Sequence, residues 1–154
     1  MRPMKKPEAA ASSTAFRVLL IDDNCNGLLA RKSVLEEHGF SVTAFSVPEE
    51  ALQAFHESAF DLVVTDYRMP NLNGTDVIRI VREAKPATPI ILISGMVDVL
   101  GLNEKNTGAD CVIPKSSTEI SHLMRAVNRL LRPGTLKKPP SSQRGKRVDR
   151  RAAQ

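Results

Sequence analysis

The sequence has few cysteines and aromatic residues and no long apolar run: its 154 residues include two cysteines, one tyrosine and no tryptophan. Cys25 and Cys111 stand far apart and in no paired motif, which excludes a disulfide framework and a zinc ribbon. A membrane span needs about 18 consecutive apolar residues. Residues 1–15 also lack the apolar segment of a secretory signal peptide. We therefore expect a protein of the reducing cytoplasm with no transmembrane segment.

Charge is distributed unevenly along the chain. Hydrophobic residues make up 42% and charged residues 25%, which is typical of a folded domain and excludes a wholly disordered protein. Residues 132–154 hold eight basic residues and one acidic residue, and residues 1–15 hold three and one. Residues 16–131 hold 11 basic and 15 acidic residues, although the net charge of the whole chain is +5. An acidic body therefore carries a basic tail.

The basic tail, residues 132–154, is rich in proline and serine and has almost nothing apolar to bury, so we expect it to be disordered. We expect the same of residues 1–15. Such a tail can make weak, nonspecific contacts with nucleic acid, an anionic membrane surface or an acidic partner. It can equally be a solvated terminus, since no aromatic residue is interleaved for base stacking.

Between the tails, apolar patterns typical of strands and of helices alternate. Buried strands are predicted at 16–21, 62–65 and 90–93, and less buried edge strands at 40–44 and 111–113. Helical spacing follows at 77–84 and 120–131, and a looser stripe of Leu28, Leu29 and Leu35 predicts the first helix. Capping boxes are predicted at 46–49 and 116–119. Residues 97–107 predict only a short or mobile helix.

Alternation of strands and helices implies a parallel sheet with helices on both faces, joined by right-handed crossovers. The central and edge runs fit the strand order 2-1-3-4-5, which is that of a flavodoxin-like, doubly wound (βα)5 sandwich. In that order the chain reverses direction between strands 1 and 3. The crevice at the carboxyl ends of these strands is where ligands bind in such sheets.

Polar residues stand where the strands end: Asp22, Asp23, Asp66, Ser94 and Lys115. Each alone has an ordinary explanation, because aspartate caps helices, serine satisfies turns and lysine is solvated. Their joint placement at successive strand ends is harder to explain by turn chemistry. Three carboxylates held together repel, and a divalent cation such as Mg²⁺ removes that conflict. The nearby lysine and hydroxyl suit a phosphoryl group, while nucleotide binding is disfavoured because no glycine-rich phosphate loop is present.

These residues belong to longer motifs. The motifs are Asp22-Asp23, the stretch from Asp66 to Gly74 (DYRMPNLNG), Ser94-Gly95, and Gly108-Ala109-Asp110 leading to Lys115. Together they resemble the response-regulator receiver domain of two-component signalling, and the resemblance covers 16–131. It implies that Asp66 is the phosphoacceptor, that Lys115 pairs with the phosphoryl oxygens and that Ser94 donates its hydroxyl proton to them. Gly74 is expected to permit a backbone turn into the third helix.

The resemblance also implies a metal cofactor and partners. Asp23, Asp66 and the backbone carbonyl of Arg68 resemble the Mg²⁺ ligands, and Asp22 would bind the ion mostly through water. The phosphoryl donor would be a sensor histidine kinase or a phosphotransfer protein. The output would be docking to a downstream protein that the sequence does not name, because no room for an attached effector domain follows Leu131. The protein would be a phosphoacceptor signalling protein that promotes its own phosphorylation and slow dephosphorylation, and not an enzyme.

Four positions depart from the family's usual pattern or bear on the lifetime of the phosphoryl group. Val112 stands where an aromatic residue usually changes rotamer, and Ser116 stands where proline usually follows the lysine. Arg68 and Met96 occupy the positions that tune the lifetime, and neither suits an attacking water, so we expect slow dephosphorylation. Val112 and Ser116 leave open a degenerate receiver that docks without phosphate. A Mg²⁺-dependent phosphatase is disfavoured because Arg68 replaces its second carboxylate.

Overall fold

The computed structural model of the protein describes residues 15–132, so the segments predicted to be disordered lie outside the described residues except at Ala15 and Arg132. The strands are β1 (Arg17–Ile21), β2 (Ser41–Phe45), β3 (Leu62–Asp66), β4 (Ile90–Ser94) and β5 (Cys111–Pro114). The helices are α1 (Cys25–Glu37), α2 (Pro48–Glu57), α3 (Gly74–Ala84), α4 (Val97–Leu100), α5 (Glu104–Thr107) and α6 (Glu119–Leu131).

The five strands form one parallel sheet in the order β2-β1-β3-β4-β5. This confirms the predicted fold and places β2 and β5 at the edges. β3 and β4 are buried along their whole length, because helices cover both faces of the central strands. β2 and β5 are partly exposed. The alternating and proline-ended sequences of the edge strands thus reflect lower burial.

Each face of the sheet has its own apolar core. On one face α1 and α6 pack against the strands, and the buried side chains include Leu35, Leu123 and Val127. On the other face α2 and α3 do so, through residues such as Phe55 and Val77. Burial of such side chains contributes roughly 1.5–3 kcal/mol each relative to exposure. No helix in residues 15–132 has both the length and the apolar character needed to cross a bilayer.

The segment 97–107 forms two one-turn helices, α4 and α5, instead of the single short helix that we expected. Gly101 ends α4 in the left-handed conformation, with φ at 63°, which a glycine adopts without steric cost. Asn103 then caps α5 by accepting a hydrogen bond from the Asn106 N–H. Polar turn chemistry therefore determines this segment, because it has no apolar stripe to bury.

Neither predicted capping box forms. α2 follows Val47, which has no side chain able to cap a helix, and its first turn relies on Pro48. α6 follows Thr118, whose side chain makes no capping hydrogen bond. The Glu119 carboxylate, which a capping box would direct back to the helix start, contacts Arg31 instead. A tertiary ion pair has replaced a local contact.

The buried stripe of α1 also differs from the prediction. Leu29 is 61% exposed, whereas Leu28 and Leu35 are buried as expected. The third buried position of the helix belongs to Arg31, with 5% exposure. A charged residue therefore lies in the apolar register of α1, three residues after one buried leucine and four before the next.

Candidate functional site

The carboxyl ends of the strands meet at one edge of the sheet, and the register of the strands brings the polar residues together there. Asp66 of β3 lies beside Ile93, one residue before Ser94. Ser94 of β4 lies beside Pro114, one residue before Lys115. Because parallel strands end at the same edge, residues that are far apart in sequence become neighbours.

Three aspartates form a cluster at this edge, which we call the acidic rim: Asp22, Asp23 and Asp66. One carboxylate oxygen of each lies within 4.8 Å of the other two. Asp22 and Asp66 are 1% and 5% exposed, whereas Asp23 is exposed to solvent. Negative charges this close repel strongly at the low dielectric of a buried site, so the cluster requires compensating cations.

Asp66 has one such cation in Lys115, whose Nζ lies 2.9 Å from Asp66 Oδ1. The two side chains differ in burial, because the lysine side chain is 35% exposed. Burial raises the pKa of Asp66 above its ordinary value of 3.8, and the charge of Asp22 adds to the rise, while Lys115 opposes it. The balance leaves a buried carboxylate that is only partly compensated and that gains from any further cation.

Asp22 is bound on both of its oxygens. Oδ1 accepts a hydrogen bond from the Asn24 N–H at 2.9 Å, and Oδ2 accepts one from Arg31 Nη1. The Arg31 guanidinium also donates from Nε to Glu119 Oε2, at 2.5 Å. Burial disfavours the charge of Arg31, but the hydrogen bonds that it donates to Glu119 and Asp22 more than offset that effect and raise its pKa. This arginine is therefore a permanent buried cation.

An open cavity of about 500 Å³ lies over the acidic rim. Its lining includes Asp23, Asp66, Arg68, Ser94, Met96 and Lys115. Ser94 is 1% exposed, and its Oγ accepts a hydrogen bond from the Met96 N–H at 2.8 Å. A hydroxyl that accepts in this way keeps its own proton for donation. The cavity thus joins carboxylates, a cation and a hydroxyl donor.

The loop after β3 is held close to the site by its backbone. The Gly74 N–H donates to the Tyr67 carbonyl at 2.6 Å, and a Cβ at Gly74 would lie 2.7 Å from the Asp66 carbonyl oxygen. Glycine is therefore required at 74 because the backbone of the loop packs too close for a Cβ. It is not required for an unusual backbone turn, since Gly74 does not have a positive φ. The positive φ of this loop is at Asn71, at 71°, a conformation that asparagine tolerates.

Comparison with known proteins identifies the family. The sequence model of the response regulator receiver domain family matches residues 18–128. The chain belongs to this family. Its curated relatives include the sensor histidine kinase GacS of Pseudomonas protegens, with 34% identity over 125 residues, 77% of this chain and 14% of that protein. Another is the cell cycle transcriptional regulator CtrA of Caulobacter vibrioides, with 34% identity over 84 residues, 54% of this chain and 36% of that protein. The chain thus spans less than half the length of either relative.

Solved structures of receiver domains share the fold. The response regulator TrrA of Thermotoga maritima, in complex with Mg²⁺-BeF, is 30% identical with a TM-score of 0.68, and the match covers 75% of this chain and 99% of that one. A response regulator receiver protein of Sinorhizobium medicae is 34% identical with a TM-score of 0.68, covering 77% and 96%. TrrA is also known in complex with the histidine kinase ThkA, with 30% identity, a TM-score of 0.67 and coverage of 75% and 98%.

Two departures of this receiver domain from its family pattern lie in β5 and directly after Lys115. Val112 is partly buried and packs against the core on the α2 and α3 face. The Lys115–Ser116 peptide bond is trans, as are the other peptide bonds in the part of the chain that the structure describes. The family's aromatic side chain and its proline after the lysine are thus replaced by a small apolar residue and a serine.

The structure brings together the predicted residues Asp22, Asp23, Asp66, Ser94 and Lys115 and places Arg68 at the cavity wall. Sequence reasoning missed the contact of Arg31 with both Asp22 and Glu119. Two signals could have revealed it: an arginine in the apolar register of a receiver helix, and a glycine four residues earlier. A Cβ at Gly27 would lie 3.1 Å from Asp22 Oδ2 and 3.3 Å from Arg31 Nη1, so the glycine makes room for the ion pair.

Proposed function

We propose that the protein is a phosphoacceptor. Asp66 takes a phosphoryl group from the phosphohistidine of a sensor histidine kinase or a phosphotransfer protein, in a Mg²⁺-dependent reaction. The observation that carries this proposal is the 2.9 Å contact between Asp66 Oδ1 and Lys115 Nζ inside the acidic rim. A buried carboxylate there faces an open cavity with a cation beside it. Such a carboxylate can act as a nucleophile, and the cation can stabilise phosphoryl oxygens.

In the proposed transfer, an oxygen of Asp66 forms a bond to phosphorus and the phosphorus–nitrogen bond of the phosphohistidine breaks. The ring nitrogen of the donor keeps the electron pair and takes up a proton. Lys115 exchanges its contact with the carboxylate for one with the phosphoryl oxygens, and Ser94 donates its hydroxyl proton in a hydrogen bond to them. The contribution of the protein is positioning and charge neutralisation, as in other phosphoryl transfers.

The donor set of the acidic rim fits Mg²⁺, which prefers carboxylate, carbonyl and water oxygens. Asp23, Asp66 and the backbone carbonyl of Arg68 would hold the ion, and Asp22 would hold it mostly through water. When bound, Mg²⁺ supplies positive charge that offsets the carboxylates and the phosphoryl oxygens. Support comes from the three carboxylate oxygens within 4.8 Å and from the Mg²⁺-BeF complex of the similar TrrA.

Signalling would follow by docking to another protein in the cytoplasm, through a shift of population between conformations on phosphorylation. The complex of TrrA with the histidine kinase ThkA supports a kinase as the upstream partner. The basic tail, 132–154, would add weak, nonspecific contacts with anions. Truncation after Arg132 should therefore lower affinity for an acidic partner in a salt-dependent manner and leave phosphorylation unchanged.

The phosphoryl group should be lost slowly. Arg68 and Met96 both line the cavity over Asp66. Neither side chain carries a carboxylate or amide to orient an attacking water for general base catalysis. A half-life of only seconds in the isolated protein would contradict this part of the proposal.

The test is incubation with Mg²⁺ and acetyl phosphate, followed by intact-mass measurement. We expect one base-labile adduct on the wild type and none on Asp66→Asn or after addition of a chelator. Asp98→Asn, which changes an exposed aspartate on α4, is the matched control and should be labelled like the wild type. An unlabelled wild type would favour the degenerate receiver that docks without phosphate. Continuous release of phosphate would favour a phosphatase.

A further inference from the structure

Arg31 is a buried cation that the proposed transfer does not use. It lies on α1 between the buried Leu28 and Leu35, with 5% of its surface exposed. A charge in such a place is costly unless it is paired and hydrogen-bonded. An apolar side chain would fill this position of the helix at lower cost. We therefore looked for a function of the arginine.

The guanidinium connects two parts of the fold that are distant in sequence. Nη1 donates to Asp22 Oδ2, at the end of β1, and Nε donates to Glu119 Oε2, in the first turn of α6. Gly27 leaves the space for this arrangement, since a Cβ there would meet both partners of the first contact. Arg31 thus fixes the Asp22 carboxylate from the side opposite the Asn24 N–H, which donates to Oδ1.

The same contact changes the charge that the acidic rim presents. Asp66 is compensated by Lys115, and Asp22 is compensated by Arg31, so only the exposed Asp23 lacks a cation within ion-pair distance among the described residues. Lys115 is partly exposed and can move to another ligand, whereas Arg31 is enclosed. Repulsion between a fixed guanidinium and an incoming divalent cation acts over several ångströms and does not depend on fine geometry.

We propose that Arg31 is a positioning residue that holds Asp22 in place and lowers the Mg²⁺ affinity of the acidic rim, and that Glu119 moderates this effect by sharing the guanidinium. The inference rests on the proposed function, because it concerns the metal site of that function. It assigns to α1 and α6 a joint influence on the affinity for the cation, transmitted through one buried ion network.

Titration of the full chain with MgCl₂ by isothermal titration calorimetry tests the proposal. Arg31→Met removes the fixed positive charge and should tighten Mg²⁺ binding about tenfold, which corresponds to about 1.4 kcal/mol. Glu119→Gln removes the shared negative charge and should weaken binding by about two- to threefold. Lys32→Met is the matched control, since Lys32 is the next residue of α1 but pairs with Glu36. It should bind Mg²⁺ within about twofold of the wild type.

The Mg²⁺ affinity should change in opposite directions in Arg31→Met and Glu119→Gln, which separates this proposal from a purely structural role. If Arg31 only stabilised the fold, both variants would loosen the rim and both would weaken binding, which would overturn the proposal. Arg31→Lys keeps the charge but loses the planar guanidinium that reaches both carboxylates, so its Mg²⁺ affinity should lie between those of the wild type and Arg31→Met. If Arg31→Met does not fold, Glu119→Gln still tests the proposal, because an unchanged or tighter Mg²⁺ affinity of that variant would overturn the shared charge.

The outcome can be distinguished from failure of the proposed function. If Arg31→Met and Glu119→Gln change the Mg²⁺ affinity as expected but Asp66 gains no adduct, the role of Arg31 is supported and phosphoacceptance is contradicted. An adduct on Asp66, together with an Mg²⁺ affinity unmoved by Arg31→Met, would support phosphoacceptance and overturn the role of Arg31. Absence of Mg²⁺ binding in both the wild type and Arg31→Met would overturn the metal site and this inference together.

Discussion

The two buried aspartates of the acidic rim have different surroundings, although they lie at the ends of neighbouring strands. Asp22 is bound on both oxygens, by the Asn24 N–H and by Arg31, and its cation is enclosed. Asp66 lies on the wall of an open cavity, and its cation, Lys115, is partly exposed. One carboxylate is held by the fold, and the other remains available to a ligand.

The difference suggests how one site can be both stable and reactive. A fixed ion pair at Asp22 stabilises the fold around that carboxylate, because breaking a buried pair leaves an uncompensated charge. Burial raises the pKa of Asp66 and its movable cation, Lys115, only partly opposes that rise, so this carboxylate gains from new cationic partners.

The largest effect is expected from removal of the enclosed cation. Arg31→Met leaves Asp22 buried without its partner and should lower the free energy of unfolding by roughly 3–5 kcal/mol in the absence of metal. Addition of Mg²⁺ should recover part of that loss. Urea unfolding with and without Mg²⁺ measures both quantities. A loss of stability no larger than that of Lys32→Met would show that the network does not stabilise the fold.

Removal of the movable cation should affect chemistry more than stability. Lys115→Met deletes the positive charge next to Asp66 and should slow labelling by acetyl phosphate by about 10²–10³-fold, the effect of losing one electrostatic stabiliser. The lysine side chain is 35% exposed, so this pair is partly screened by solvent, and the free energy of unfolding should fall less than in Arg31→Met. Lys105→Met, which alters an exposed lysine of α5, serves as the control. Labelling of Lys115→Met at the wild-type rate would place the stabilising charge elsewhere.

The smallest effect concerns stability and pH. Asp66→Asn removes a buried carboxylate whose pKa is raised by burial, so it should stabilise the metal-free protein, and by less than Arg31→Met destabilises it. The pKa of Asp66 is higher in the folded than in the unfolded protein. The protonated carboxyl therefore stabilises the wild type below the unfolded pKa, and that contribution is lost as pH rises through the folded pKa. The advantage of Asp66→Asn should therefore grow with pH above the ordinary value of 3.8. Thermal unfolding at a series of pH values measures it, and an advantage that shrinks with rising pH would contradict the account.

Much of the fold and the predicted site positions could be read from the sequence, because both follow from patterns that are local in the chain. Buried strands are continuous apolar runs, and parallel strands deliver their C-terminal residues to one edge, so the positions of Asp66 and Lys115 followed once the strand order was known. The roles of these residues remain proposals.

What the sequence could not predict depends on contacts between distant segments. Arg31 and Glu119 are 88 residues apart, and their contact arises only when α1 and α6 pack on the same face of the sheet. That contact also explains why the predicted capping box of α6 does not form. The two short helices within 97–107 were missed because their boundaries depend on Gly101 and Asn103 rather than on an apolar stripe.

The most direct test of the central claim is to identify which carboxylate becomes phosphorylated. The protein, labelled with acetyl phosphate and Mg²⁺, is reduced with borohydride, which converts an aspartyl phosphate to homoserine, and the peptides are sequenced by mass spectrometry. The account predicts homoserine at position 66 alone, since Asp22 is enclosed and Lys115 lies beside Asp66. Homoserine at Asp22 or Asp23, or at no position in a protein that binds Mg²⁺, would contradict it.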